Sequence, residues 1–147
     1  LTLRPMTDAE IKALIARTES EELRVAYGEM LDGCRRDPGN RIWYAPWEMM
    51  LKDSQEYVGD LGFKGPVTNH SVEIGYGVLP EHEGNGYTTE ALQAMTQWAF
   101  GQKDVVFVEA ETDPDNKASQ RVLEKCGFVS HGTGVEGPRF VLESPLS

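Results

Sequence analysis

The chain has 147 residues, 39% hydrophobic and 26% charged, so a single soluble domain around one core is the simplest organisation. Its 14 Lys and Arg against 24 Asp and Glu leave a net charge of −10, which argues against general nucleic-acid binding, since that needs basic patches. No apolar run approaches the ~20 residues of a membrane span, and Cys34 and Cys126 stand too far apart and too far from His clusters to indicate zinc or a disulfide framework.

The opening "LTLRPMTDAE" lacks a signal-peptide core and an initiator Met. The expected compartment is the cytoplasm, and a residue or more is expected to be missing at the start. "LTLRPM" reads as a short strand. Thr7 with Glu10 makes a capping box that starts a helix near Asp8. Thr18 with Glu21 repeats the signal before "ESEELRVAYGEMLDGCRR", where Leu23, Tyr27, Met30, Leu31 and Cys34 form an apolar stripe. "DPGN", residues 37–40, stops that helix.

The period then changes to two. "RIWYAPWEMML", "QEYVGDLGF" and "SVEIGYGVL" read as strands joined by polar turns. Pro46 demotes the first to an edge or bulged strand. "YTTEALQAMTQWAFGQ" is a helix with Ala91, Leu92, Met95, Trp98 and Ala99 on one side. "VVFVEAET" is a buried strand, "NKASQRVLEKCGF" a helix closed by Gly127, and "FVSHG" and "PRFVLES" the last two strands. The order β-α-α-β-β-β-α-β-α-β-β predicts an α/β fold, a mixed sheet with helices on both faces.

Between the third strand of the middle group and its helix lies "EHEGNGYTTEA", residues 81–91, without Lys or Arg. The first N–H groups of a helix have no partners inside it, and the macrodipole adds partial positive charge there. Such a start binds an anion without cationic side chains. Alone, Gly-x-Gly is a weak signal that an ordinary turn explains more readily.

The second motif, "DPDNKASQRVLEKCGF" at 113–128, decides between them. Together, "EIGYGVLPEHEGNGYTTEAL" and "NKASQRVLEKCGF" resemble the GNAT superfamily of acyl-CoA-dependent N-acyltransferases, in particular its ribosomal-protein N-terminal (Rim-type) branch. The resemblance covers nearly the whole chain. It implies a GNAT-like, mostly antiparallel mixed sheet whose splayed central strands form the cofactor cleft. It implies acetyl-CoA as cosubstrate, no metal, and a primary amine or a protein N-terminus as acceptor. No nucleic acid or membrane partner is expected, and the assembly is a monomer or homodimer.

By the same resemblance, main-chain N–H groups from Gly84 through Asn85, Gly86, Tyr87 and Thr88 to Thr89 hold the pyrophosphate. The family's pattern, Arg/Gln-x-x-Gly-x-Gly/Ala, has Glu83 in place of the basic or amide residue and Thr88 in place of the small one. Gly77 and Val78, with Leu79 adjoining, supply the strand amides that face the pantetheine arm and the oxyanion. Asn116 contacts the cofactor or caps its helix. Many members carry a tyrosine at the position of Leu123; Ser119, one turn earlier, either faces the CoA sulfur as proton donor by the same resemblance or satisfies its own helix backbone.

Glu73 is the candidate base, or else a solvated or salt-bridged strand glutamate. By period two it shares a strand face with Gly75 and Gly77, which leave room beside it, while Val72, Ile74, Tyr76 and Val78 share the other. Glu109 and Glu111 on the next strand are weaker candidates. Lys117, Arg121 and Lys125 make a basic helix face. The competing class is a CoA-binding sensor without catalysis, which the departures at Glu83, Thr88 and Leu123 leave open.

Overall fold

The computed structural model describes residues 1–78 and 86–145. Among the described residues, the elements in chain order are β1 (Thr2–Pro5), α1 (Asp8–Arg17), α2 (Glu21–Arg36), a 3-10 turn (Pro38–Asn40), α3 (Arg41–Tyr44), β2 (Trp47–Met50), β3 (Tyr57–Phe63) and β4 (Ser71–Val78). They continue as α4 (Tyr87–Phe100), β5 (Phe107–Glu111), α5 (Lys117–Lys125), β6 (Val129–Thr133) and β7 (Pro138–Glu143). The strands form one sheet in the order β1-β2-β3-β4-β5-β7-β6, antiparallel except where β4 meets β5.

Each helix face follows from its apolar spacing. Ala91, Leu92, Met95 and Ala99 of α4 are buried against Val72 and Ile74 of β4 and Val108 and Ala110 of β5, together with Leu123 of α5. Trp98 stands beside Trp43, Trp47 and Phe63, with ring centroids 5.1–5.7 Å away. On the other face, Ile11 and Leu14 of α1 and Tyr27, Leu31 and Cys34 of α2 bury with Met6 and Ala45. Truncating Leu92 or Leu123 to Ala would cost about 2–5 kcal/mol, transfer and cavity terms together.

Three local expectations change. "RIWY", read as strand, is the helical turn α3, with Ala45 N–H donating to the Arg41 carbonyl at 2.9 Å. Pro38 starts this helical run, and Pro46 has no N–H for a ladder, so pairing begins at Trp47. The cap of α2 is Ser20, whose hydroxyl accepts from Leu23 N–H at 3.3 Å. Thr18 instead closes α1, donating to the Leu14 carbonyl at 2.6 Å. Leu23 is 48% exposed and leaves the buried stripe.

The departure that matters for function lies mid-sheet. β4 and β5 pair only at Ser71↔Phe107, Val72↔Val108 and Glu73↔Glu109. Among the described residues, β4 past Glu73 runs on to Val78 paired with β3 alone, while β5 runs on to Glu111 paired with β7. Two neighbouring strands that stop sharing hydrogen bonds have separated, so a cleft opens between them toward the start of α4.

Candidate active site

The sites inferred from sequence fall on both sides of this opening. Gly77 and Val78 lie in its β4 wall, opposite Asp60 and Gly59 of β3. Leu79, Glu83, Gly84 and Asn85 lie outside the described residues. Gly86 is the N-cap of α4, in the left-handed region at φ 77°, ψ 7°, which glycine adopts at little cost. It gives no side-chain cap, and Tyr87, Thr88 and Thr89 form the first turn of the helix. The other long helices are capped by Thr7, Ser20 and Asn116.

Asn116 and Ser119 come together at the start of α5. The Asn116 side chain accepts from Ser119 N–H at 3.1 Å, so it is a helix cap. The Ser119 hydroxyl lies 2.6 Å from that of Tyr76. Tyr76 was assigned from the sequence only to the apolar face of β4. Its ring does pack there, while its phenol reaches α5. Burial raises the Tyr76 pKa, partly offset by the Ser119 hydrogen bond, so the phenol stays protonated. Cys126 donates to the Thr89 carbonyl at 3.7 Å, tying α5 to the first turn of α4. Lys117, Arg121 and Lys125 are exposed.

Glu73 occupies the opposite face. Lys64 reaches it with Nζ–Oε2 at 2.9 Å and also pairs with Glu136 at 3.2 Å. Burial pulls the Lys64 pKa down, but Glu73 and then Glu136 outweigh it and the net shift is upward. The room beside Gly75 is partly taken by the Lys64 stem, since a Cβ there would stand 3.4 Å from Lys64 Cε. A cleft of about 540 Å³ lies over this face, lined among others by Lys64, Glu73, Glu109, His131 and Arg139. Glu109 accepts from the Ser71 hydroxyl at 2.6 Å and pairs with Arg139. Glu111 accepts from Glu136 N–H at 2.9 Å. Both alternative carboxylates are therefore engaged, as is Glu73.

One polar atom has no account within the fold. Thr112 follows β5, just past the point of divergence, and its Oγ1 is buried with no hydrogen-bond partner among the described residues. Buried hydroxyls are rarely left so. Among the described residues no group of His, Cys, Asp and Glu has a metal-holding arrangement, and no helix is long and apolar enough to cross a membrane.

The acetyltransferase (GNAT) domain family matches residues 1–129. The chain belongs to the GNAT acetyltransferase family. Among its relatives, YoaA of Bacillus subtilis, named an uncharacterized N-acetyltransferase, is 29% identical over 143 residues, 90% of this chain and 81% of YoaA. YjdG of the same organism, named likewise, is 37% identical over 91 residues, 61% of this chain. That match spans about half of YjdG, 54% of its length. A chimera of the Vibrio cholerae spermidine N-acetyltransferase SpeG with hSSAT shares the GNAT fold. Its TM-score is 0.76 at 15% identity, over 97% of this chain and 96% of that one.

Proposed function

We propose that the protein transfers an acetyl group from acetyl-CoA to a primary amine by direct attack of the amine on the thioester. The carrying observation is the divergence of β4 from β5, which opens toward an α4 start without a side-chain cap. GNAT acetyltransferases as a family use acetyl-CoA. The residues here fit that cosubstrate: the first turn of α4 for the pyrophosphate, and the length of β4 beyond Glu73 that β5 does not pair for the pantetheine amides.

In this reading the backbone N–H groups near Gly77 and Val78 stabilise the oxyanion that forms as the amine adds. The amine must give up a proton. An α-amine with pKa near 8 is ~10% neutral at pH 7, whereas a lysine-type amine is neutral about once in 2,500. Glu73 lies four residues from Gly77, about 13 Å along the strand at ~3.3 Å per residue. It therefore acts through water rather than by direct contact, and Lys64 must yield for it to do so. The departing thiolate takes its proton from the Ser119 hydroxyl, which regains one through the hydrogen-bonded phenol of Tyr76 from solvent.

Acetyl-CoA-dependent thiol release across a panel of primary amines tests the proposal. Turnover with at least one amine, lowered about tenfold or more by Ser119→Ala and by Glu73→Gln, is the expected result. Saturable acetyl-CoA binding with no turnover on any amine would replace the transferase by a CoA-binding module.

A further inference from the structure

The middle of β3 carries a carboxylate that the reaction above does not use. Asp60 is the partner of Gly77 across the β3–β4 ladder. Directly opposed antiparallel residues lie about 4.5–5.5 Å apart and point to one face. Asp60 thus shares the face of Glu73 and Gly75, and stands much nearer the proposed oxyanion site than Glu73 does.

It is half-buried, and its two oxygens are placed differently. The Tyr27 hydroxyl of α2 donates to Asp60 Oδ2 at 2.8 Å, and the Tyr57 hydroxyl donates to the same oxygen at 2.6 Å. Among the described residues Oδ1 accepts no hydrogen bond, and no cation forms an ion pair with Asp60. Burial raises the Asp60 pKa, and the two tyrosines only partly oppose this. A neutral acceptor would suffice to tie α2 to β3, whereas a half-buried carboxylate with one oxygen open to solvent can also meet a positive charge. One cation already gathers nearby. Arg17, exposed at the end of α1, stands 5.3 Å from the Tyr57 ring centroid, near enough to act on Asp60 through space.

We propose that Asp60, with Oδ2 fixed by Tyr27 and Tyr57, is the acceptor subsite for a second positive charge, which makes short diamines the preferred substrates. This rests on the transferase reading for the reacting amine, but the binding of a diamine does not. Oδ1 takes one ammonium while the other nitrogen, a few bonds away, faces the thioester held near Gly77. Arg17 occupies the approach when no diamine is present.

The test compares 1,3-diaminopropane with propylamine, by thiol release and by calorimetric titration of the CoA-loaded protein. The wild type should favour the diamine by roughly 10–100-fold, the scale of a hydrogen-bonded ion pair. Asp60→Asn, which keeps the side-chain shape, should shrink that ratio to about threefold or less. Arg17→Ala, an exposed change with Asp60 intact, should tighten diamine binding severalfold. A diamine preference that survives Asp60→Asn overturns the assignment, and so does diamine affinity that stays level or falls in Arg17→Ala. If Asp60→Asn fails to fold, the Arg17→Ala result decides alone. Asp60-dependent diamine binding without turnover keeps the subsite and removes only the transferase reading.

Discussion

The starts of α4 and α5 lie on the same side of the sheet, and the end of α5 is tied to the first turn of α4 through Cys126 and Thr89, yet the two starts are built in opposite ways. Helix α5 opens on Asn116, whose side chain returns to Ser119 N–H. Helix α4 opens on Gly86, left-handed and without a side-chain cap. A capped start is finished within the chain. A start without a side-chain cap, at the mouth of a split between two strands, is in the proposed function the end whose positive dipole faces the ligand. The acidic loop before α4 then poses no contradiction, because the attraction comes from main-chain donors and the dipole.

The most severe way to break this contrast is to give α4 a cap of its own. Gly86→Asp places a carboxylate where the pyrophosphate is proposed to sit, in a conformation that Asp tolerates better than most residues. Acetyl-CoA affinity should fall about 30-fold or more by calorimetry, with the fold retained by circular dichroism. Next in size, Tyr76→Phe removes the hydroxyl 2.6 Å from Ser119 Oγ. We expect kcat to drop about tenfold while the KM for acetyl-CoA changes by less than about twofold, since the loss falls on the proton path.

At α5 the contrast predicts the reverse pattern. Asn116→Ala should cost about 1 kcal/mol in denaturant unfolding, the worth of a lost N-cap, with only a severalfold change in acetyl-CoA affinity. The smallest effect concerns α1. The hydrogen bond from Arg4 and then that from Thr7 N–H hold the Glu10 carboxyl down, from 4.5 to about 2. A carboxyl depressed by folding contributes stability above its unfolded pKa and loses it as pH falls toward the folded one. The wild type should therefore lose a little stability between about pH 4.5 and 2, and Glu10→Gln should flatten that part of the profile. Solvent exposure of the pair keeps the effect small.

The element order was legible because the apolar periods are long: 3.6 in α2 and α4, and two in β4, while β3 is a short apolar run. "RIWY" was misread because four apolar and basic residues carry no period, and the turn before them decided their conformation. Glu73 and the α4 start could be placed from strand parity and from glycine. The partnerships could not. Lys64 reaches Glu73 across a strand pair, and Tyr76 reaches Ser119 across 43 residues of sequence. Parity assigned Tyr76 to the core and said nothing of where its hydroxyl ends. Asp60 had one sequence signal, a charge in the middle of the apolar run "YVGDLGF". Its meaning depends on Tyr27 and Tyr57, which only the packing of α2 on β3 brings to it.

The claim that the α4 start is the cofactor's anchor is tested most directly by following backbone amide resonances while acetyl-CoA is added. The account predicts saturable shifts that are largest at Gly86 through Thr89 and extend along Gly77 and Val78, with the amide of Ser119, already bonded to Asn116, moving little. Saturable binding that leaves the Gly86–Thr89 amides unmoved would contradict it.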